Sequence, residues 1–187
     1  MSFIRASLII IFILTPVTLA EAQAGGAGCS LTTQQFSQLA ELKGLWPGMT
    51  LEQVKSVVPS LEMGKADELG LSKTSFSPDF NPKINKAAFQ GVRTISLDFL
   101  DDKLFSVWIG YNDNFKLKTI DEVVRAVTQT LKLPTAWETK GRGQQLTCGD
   151  FQMVVTMVAG SPTLRVTDES TRAIWEKRRT ERAEQEP

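Results

Sequence analysis

Apolar residues recur along this chain at two spacings, and the changes between them outline the elements. Residues three and four apart share one helix face, and every second residue shares one strand face. Over 120–131, Ile120, Val123, Val124, Val127 and Leu131 fall on a single helical face, and Leu133-Pro134 ends the run. A shorter helix is predicted over 51–58, entered through Pro47-Gly48 and stopped by Pro59. Another is predicted over 33–43, with Phe36, Leu39 and Ala40 inward and Gly44 as its stop. A fourth begins near Asp168 and passes, over 176–186, into a tail of alternating charge, the pattern of a solvated or frayed helix end.

Three of these starts carry a capping box: Thr32 with Gln35, Thr50 with Gln53, and Thr119 with Glu122. In each, the hydroxyl accepts from one free backbone N–H and the longer side chain reaches back to another. Leu31 with Phe36 and Met49 with Val54 add a hydrophobic staple across the first two caps.

Between the helices the period drops to two. Arg93, Ile95, Leu97 and Phe99 lead to a turn at Asp101-Asp102-Lys103, and Phe105, Val107, Ile109 and Tyr111 return. A three-residue loop there pairs Phe99 with Phe105 and Leu97 with Val107, so both apolar sets face one side. Leu146 and Cys148 meet Phe151, Met153, Val155 and Met157 across a Gly149-Asp150 turn, and a turn at Gly160-Ser161-Pro162 leads to Leu164 and Val166. A further strand fits Leu71–Phe76. The fold class is therefore α+β: an antiparallel sheet packed against helices, with one sheet face partly open to water. Helix followed by strands occurs twice, at an offset of about 69 residues, which suggests two helix-plus-strands repeats. The stretch 62–91, with Pro78, Pro82 and scattered Lys, reads as the least structured part.

The first residues add a destination. Arg5, an apolar run over 8–14, Pro16 and then Ala22-Gln23-Ala24 have the order of a secretory signal peptide over 1–24, cleaved after Ala24 or Ala20. The apolar stretch 7–20 is shorter than the roughly 20 residues a membrane-spanning helix needs, and no other segment approaches that length. Residues 25–187 then form one domain, exported to the periplasm or the extracellular space. Gly26 stands where a lipoprotein signal wants a large aliphatic residue before Cys29, so the two cysteines, Cys29 and Cys148, are expected to pair with each other. Closing a loop of about 120 residues stabilises the fold by on the order of 4 kcal/mol in the chain-entropy account.

Charge and chemistry narrow the function. With 21 basic and 21 acidic residues the chain is neutral, which argues against a nucleic-acid partner. It has no histidine, which removes Ser-His-Asp and Cys-His catalysis, HExxH zinc sites and haem ligation through His. No catalytic residue, metal or cofactor is assigned. Asp98, Asp101 and Asp102 are the one acidic cluster with glycosidase-like potential, but Asp101-Asp102 falls where a hairpin needs turn formers. Asn112-Asp113-Asn114 lacks the length and the closing Glu of a calcium loop. Lys140-Gly141-Arg142-Gly143 lacks the phosphate-loop pattern and reads as a solvated connection. Trp46, Trp137 and Trp175 border predicted helix ends and suit core edges. Trp108 differs, because it alternates with the apolar set and falls with Ser106 and Gly110, opposite Ser96. A tryptophan on an otherwise polar sheet face is a candidate contact residue, with Ser96 and Ser106 beside it.

Gly48-Met49-Thr50-Leu51-Glu52-Gln53-Val54, followed by Pro59, resembles the Gly-Met-Thr-x-x-Gln-Val helix start of the BamE (SmpA/OmlA) family. That family shares a small helix-pair-plus-antiparallel-sheet architecture with the β-lactamase inhibitor proteins. The resemblance implies this fold and an envelope setting; it covers about a dozen residues and transfers no activity or site. The chain departs from the family's lipoprotein pattern and has a longer body. The expected function is an exported, non-catalytic binding or scaffold domain with a protein partner in the cell envelope, using the Trp108 face or the 62–91 loop. The alternative is a His-free hydrolase built on Asp98 and a second acid.

Overall fold

The period-two stretches become one seven-stranded antiparallel sheet. The computed structural model describes residues 29–185, so the predicted signal segment lies outside the described residues. The strands are β1 (Leu71–Phe76), β2 (Val92–Leu100), β3 (Lys103–Tyr111), β4 (Glu138–Lys140), β5 (Gly143–Cys148), β6 (Phe151–Val158) and β7 (Ser161–Asp168). The helices are α1 (Leu51–Val57), α2 (Ile120–Leu131) and α3 (Glu169–Gln185). The strand order is β1-β2-β3-β7-β6-β5-β4. The last strands of the two halves, β3 and β7, are antiparallel neighbours at the centre, so α1-β1-β2-β3 and α2-β5-β6-β7 occupy equivalent places, with β4 added at one edge.

The inner face carries Ile95, Leu97, Val107, Ile109, Met153, Val155, Leu164 and Val166, all with 0% exposure. Val54 of α1 and Val123, Val127 and Leu131 of α2 join the same core. Burying each such side chain is worth about 1.5–3 kcal/mol, so this layer supplies most of the driving force. Thr50 and Thr119 cap α1 and α2 as their sequences predict, accepting from the N–H groups of Gln53 (3.3 Å) and Glu122 (3.2 Å).

A disulfide joins Cys29 to Cys148, with Cα atoms 4.9 Å apart, and fastens the start of the domain to the Gly149-Asp150 turn. Phe36 meets Phe151 edge-on beside it, centroids 4.8 Å apart. Tyr111 stacks on Phe115 at 3.7 Å and donates to the Glu41 carbonyl at 3.0 Å; full burial holds its phenol well above the usual tyrosine range.

Several expectations are corrected. The predicted 33–43 helix is two 3-10 turns, Thr33–Gln38 and Ala40–Leu42, with Leu39 extended between them. The buried residues are Phe36, Leu39, Leu42 and Leu45, a period of three, which suits a 3-10 helix; Ala40 is exposed. The β2–β3 turn is the two residues Asp101-Asp102, both at positive φ (49° and 61°), the mirror-image geometry that matches strand twist. A bulge follows: Leu97 faces Val107 as expected, but Phe99 faces Leu104, and the extra residue Phe105 turns to the outer face. The turn before β7 is Ala159-Gly160, at φ 51° and 79°, while Ser161 and Pro162 already belong to the strand. Met157 lies past the core and is 38% exposed. The 62–91 stretch holds β1 and inserts Ile84 and Phe89 into the core, leaving Phe80 88% exposed. Lys140 to Gly143 is a hairpin turn joining β4 and β5, not a plain connection from α2.

Candidate functional site

The other half of each alternation forms the outer face. One cross-strand row runs through all seven strands: Ser75, Ser96, Trp108, Arg165, Val154, Gln145 and Glu138. The neighbouring row on one side is Lys73, Asp98, Ser106, Thr167, Gln152 and Thr147. On the other side it is Thr94, Gly110, Thr163, Thr156 and Gly143. Short hydroxyl and amide side chains dominate this platform, and Trp108 is its large aromatic.

Helix α3 covers one end of the platform. Asp168 Oδ1 caps it, accepting from Thr171 N–H at 3.1 Å and from Ser170 Oγ at 2.6 Å. The helix then crosses to the opposite corner. There Arg178 pairs with Asp101 at 2.7 Å and donates to the Leu69 carbonyl at 2.9 Å, and Arg182 pairs with Glu68. The Arg178 guanidinium holds the Asp101 carboxyl below the ordinary carboxylate range, and Asp101 in turn raises Arg178. No residue of α3 is fully buried, so polar contacts at both ends and Trp175 between them hold it to the sheet. Over its described part the charged C-terminal stretch is a largely solvated helix, which Arg178 and Arg182 tie to the sheet's corner.

The structure separates the sequence-predicted contact residues. Trp108 and Ser96 share the middle row and stay partly exposed. Ser106 lies one row nearer α3, is 6% exposed and shares a hydrogen bond with Thr167 Oγ1 at 3.3 Å. The Trp108 ring extends away from α3 over Gly110, where an added Cβ would meet indole Cη2 at 3.1 Å and Arg93 Nη2 at 3.5 Å. Arg93 is held there by donating to the Val158 carbonyl at 3.2 Å. Sequence reasoning missed three participants: Arg165, Arg93 and Trp175. Arg165 is the cross-strand neighbour of Trp108, is exposed, and makes no hydrogen bond or ion pair among the described residues. Its outward direction follows from alternation with Leu164 and Val166, but its place beside Trp108 depends on the β3–β7 register. Trp175, expected at a helix end, lies inside α3 against the sheet; Trp46 and Trp137 do pack at the core's edge.

Where α3 meets the platform, a cleft of about 150 Å³ opens, lined by Lys73, Asp98, Arg165, Arg172, Gln152 and Trp175 among others. Asp98 pairs with Lys73 at 3.7 Å, and no second carboxylate lines this cleft. Asp101 and Asp102 form the hairpin turn. Asn112 turns its own loop, accepting from Asn114 N–H at 2.9 Å. No cluster of metal-ligating residues occurs among the described residues.

Compared with protein families, curated proteins and solved structures, the chain finds no match. Its chemistry is therefore read from its own residues. In the Gly48–Val54 stretch those residues have local work: Gly48 sits at φ 96° and donates to the Leu104 carbonyl at 2.7 Å, and Thr50 caps α1.

Proposed function

We propose that this chain is an exported, non-catalytic binding domain of the cell envelope whose contact surface is the open half of the outer sheet face, centred on Trp108. The observation that carries this reading is one pair: a partly exposed indole beside an arginine without a partner, on a face that α3 covers only at its other end. A tryptophan and an arginine on a rigid sheet are the side-chain types that dominate binding energies. Export is supported by the disulfide, which suits an oxidising compartment, together with the signal-like N-terminal sequence. Among the described residues no helix is long and apolar enough to cross a membrane. The BamE-like helix start agrees with an envelope setting.

Immobilised protein exposed to envelope extract tests the reading, with Trp108→Ala and Arg165→Gln run beside Lys83→Gln, a charge removed from the 62–91 stretch. A component retained by the parent and Lys83→Gln and lost with both face variants supports it. Equal retention by all four contradicts it.

A further inference from the structure

The two edges of the sheet differ. Along β1 the chain over 62–67 runs beside the strand. Thr74 Oγ1 donates to the Glu62 carbonyl at 2.6 Å, and Asp67 N–H donates to the Leu71 carbonyl at 2.8 Å. Gly64 lies so close that an added Cβ would meet the Lys73 carbonyl oxygen at 2.8 Å. That edge is covered. At the other edge β4 pairs with β5 on one side, and Glu138, Thr139 and Lys140 are all exposed. The phase of the ladder fixes which backbone groups are free. Lys140 and Gly143 flank the two-residue Gly141-Arg142 turn as a hydrogen-bonded pair, so Thr139 points its N–H and C=O away from β5. The Glu138 carboxylate and the Lys140 ammonium make no hydrogen bond or ion pair among the described residues.

An open edge is a template for another strand, and charges on it ordinarily keep foreign strands away. Here the charges complement themselves. A second copy running antiparallel can bond to Thr139 with its own residue 137, 139 or 141 opposite. Thr139 on Thr139 sets each Glu138 opposite a Lys140, whereas the other two registers set Glu138 on Glu138 or Lys140 on Lys140. In the central register the charge pairs occupy non-hydrogen-bonded positions, where facing side chains approach most closely. Both pairs lie on the outer face, in the rows of Gln145 and Gly143. We infer that β4 is a self-association edge, on which two copies pair antiparallel about Thr139 through reciprocal backbone hydrogen bonds and two Glu138–Lys140 ion pairs. The two-fold operation uses up the edge, so assembly closes at a dimer. Its short length makes that dimer transient, dissociating at about millimolar concentration. Both outer faces then look the same way, with the two Trp108 platforms in one continuous sheet. The inference stands whether or not those platforms bind a partner.

The test uses the ¹⁵N-labelled chain over 25–187, which holds every described element, at concentrations from about 20 μM to about 2 mM. Translational diffusion measured by field-gradient NMR should slow with concentration toward the value of two copies. Exchange of the Thr139 amide with solvent should slow in parallel, while the Lys140 amide, already bonded to β5, stays as it is. Glu138→Lys sets lysine opposite lysine and should weaken association roughly tenfold, as glutamate opposite glutamate should in Lys140→Glu. Glu138→Lys combined with Lys140→Glu restores opposite charges and should restore association, which a damaged fold cannot do. Trp108→Ala, four strands away, should associate like the parent, so a failure of the binding surface is read separately from a failure of the edge. Monomer diffusion over the whole range overturns the inference. So does association of either single variant equal to the parent's, a double variant no tighter than the singles, or growth beyond two copies.

Discussion

The two faces of the central sheet are written in alternate residues of the same strands, yet they answer to different requirements. On the inner face, Leu97, Val107, Leu164 and Val166 lose all contact with water and are matched to the helices packed on them. On the outer face, Ser96, Trp108, Arg165 and Val154 sit in the corresponding positions and meet a helix only at one end. Stability is concentrated in the first set because removal from water drives folding. The second set is freer to carry recognition, because its side chains can change without opening a cavity in the core.

Substitutions should separate the faces by size of effect. Phe99→Ala removes a ring with 0% exposure and should cost about 3–5 kcal/mol, enough to unfold much of the protein, as read by urea denaturation. Reducing the Cys29–Cys148 disulfide should cost up to on the order of 4 kcal/mol. Hydrogen exchange should then show the Thr33–Gln38 turn loosening before α2, because that turn loses its nearest covalent tether. Equal loosening of both would show that the core, not the bond, holds that segment.

Gly110→Ala tests the boundary between the faces, since the new methyl group contacts the Trp108 ring at 3.1 Å. It should cost about 1 kcal/mol and shift the tryptophan emission, leaving the inner face intact. Asp101→Asn is expected to have a smaller effect, because the Asp101–Arg178 pair lies at the surface, and its loss should speed exchange in the second half of α3. The same pair gives a pH dependence. The Asp101 carboxyl lies lower in the folded protein than in the unfolded chain, so its contribution is present above the ordinary carboxylate range and is lost as pH falls through the folded value. Bracing of α3 should therefore weaken in acid in the parent, and Asp101→Asn should reduce that dependence.

Most of the inner face could be read from sequence, and little of the outer site. Period-two alternation in 95–99 and 151–155 is decided by which residues reach the core, so it survives into the structure residue by residue. The caps of α1 and α2 are local and equally readable. The bulge at Phe105 was hidden because an apolar residue suits either face once a helix covers the outer one. The 3-10 turns were hidden behind a helical reading, although Phe36, Leu39, Leu42 and Leu45 already recur every third residue. Arg165 and Trp175 meet in the cleft only after β7 has paired with β3 and α3 has folded back, and no local pattern announces such long-range meetings.

One further substitution bears most directly on the central claim. Trp108→Ala should cost less than Phe99→Ala, because Trp108 lies outside the core and keeps part of its surface in water. The decisive measurement pairs that denaturation curve with retention of an envelope component on the immobilised variant. The account predicts a single cooperative unfolding transition, with the variant still folded in the absence of urea, together with lost retention. Near-parental retention on the folded variant would contradict it.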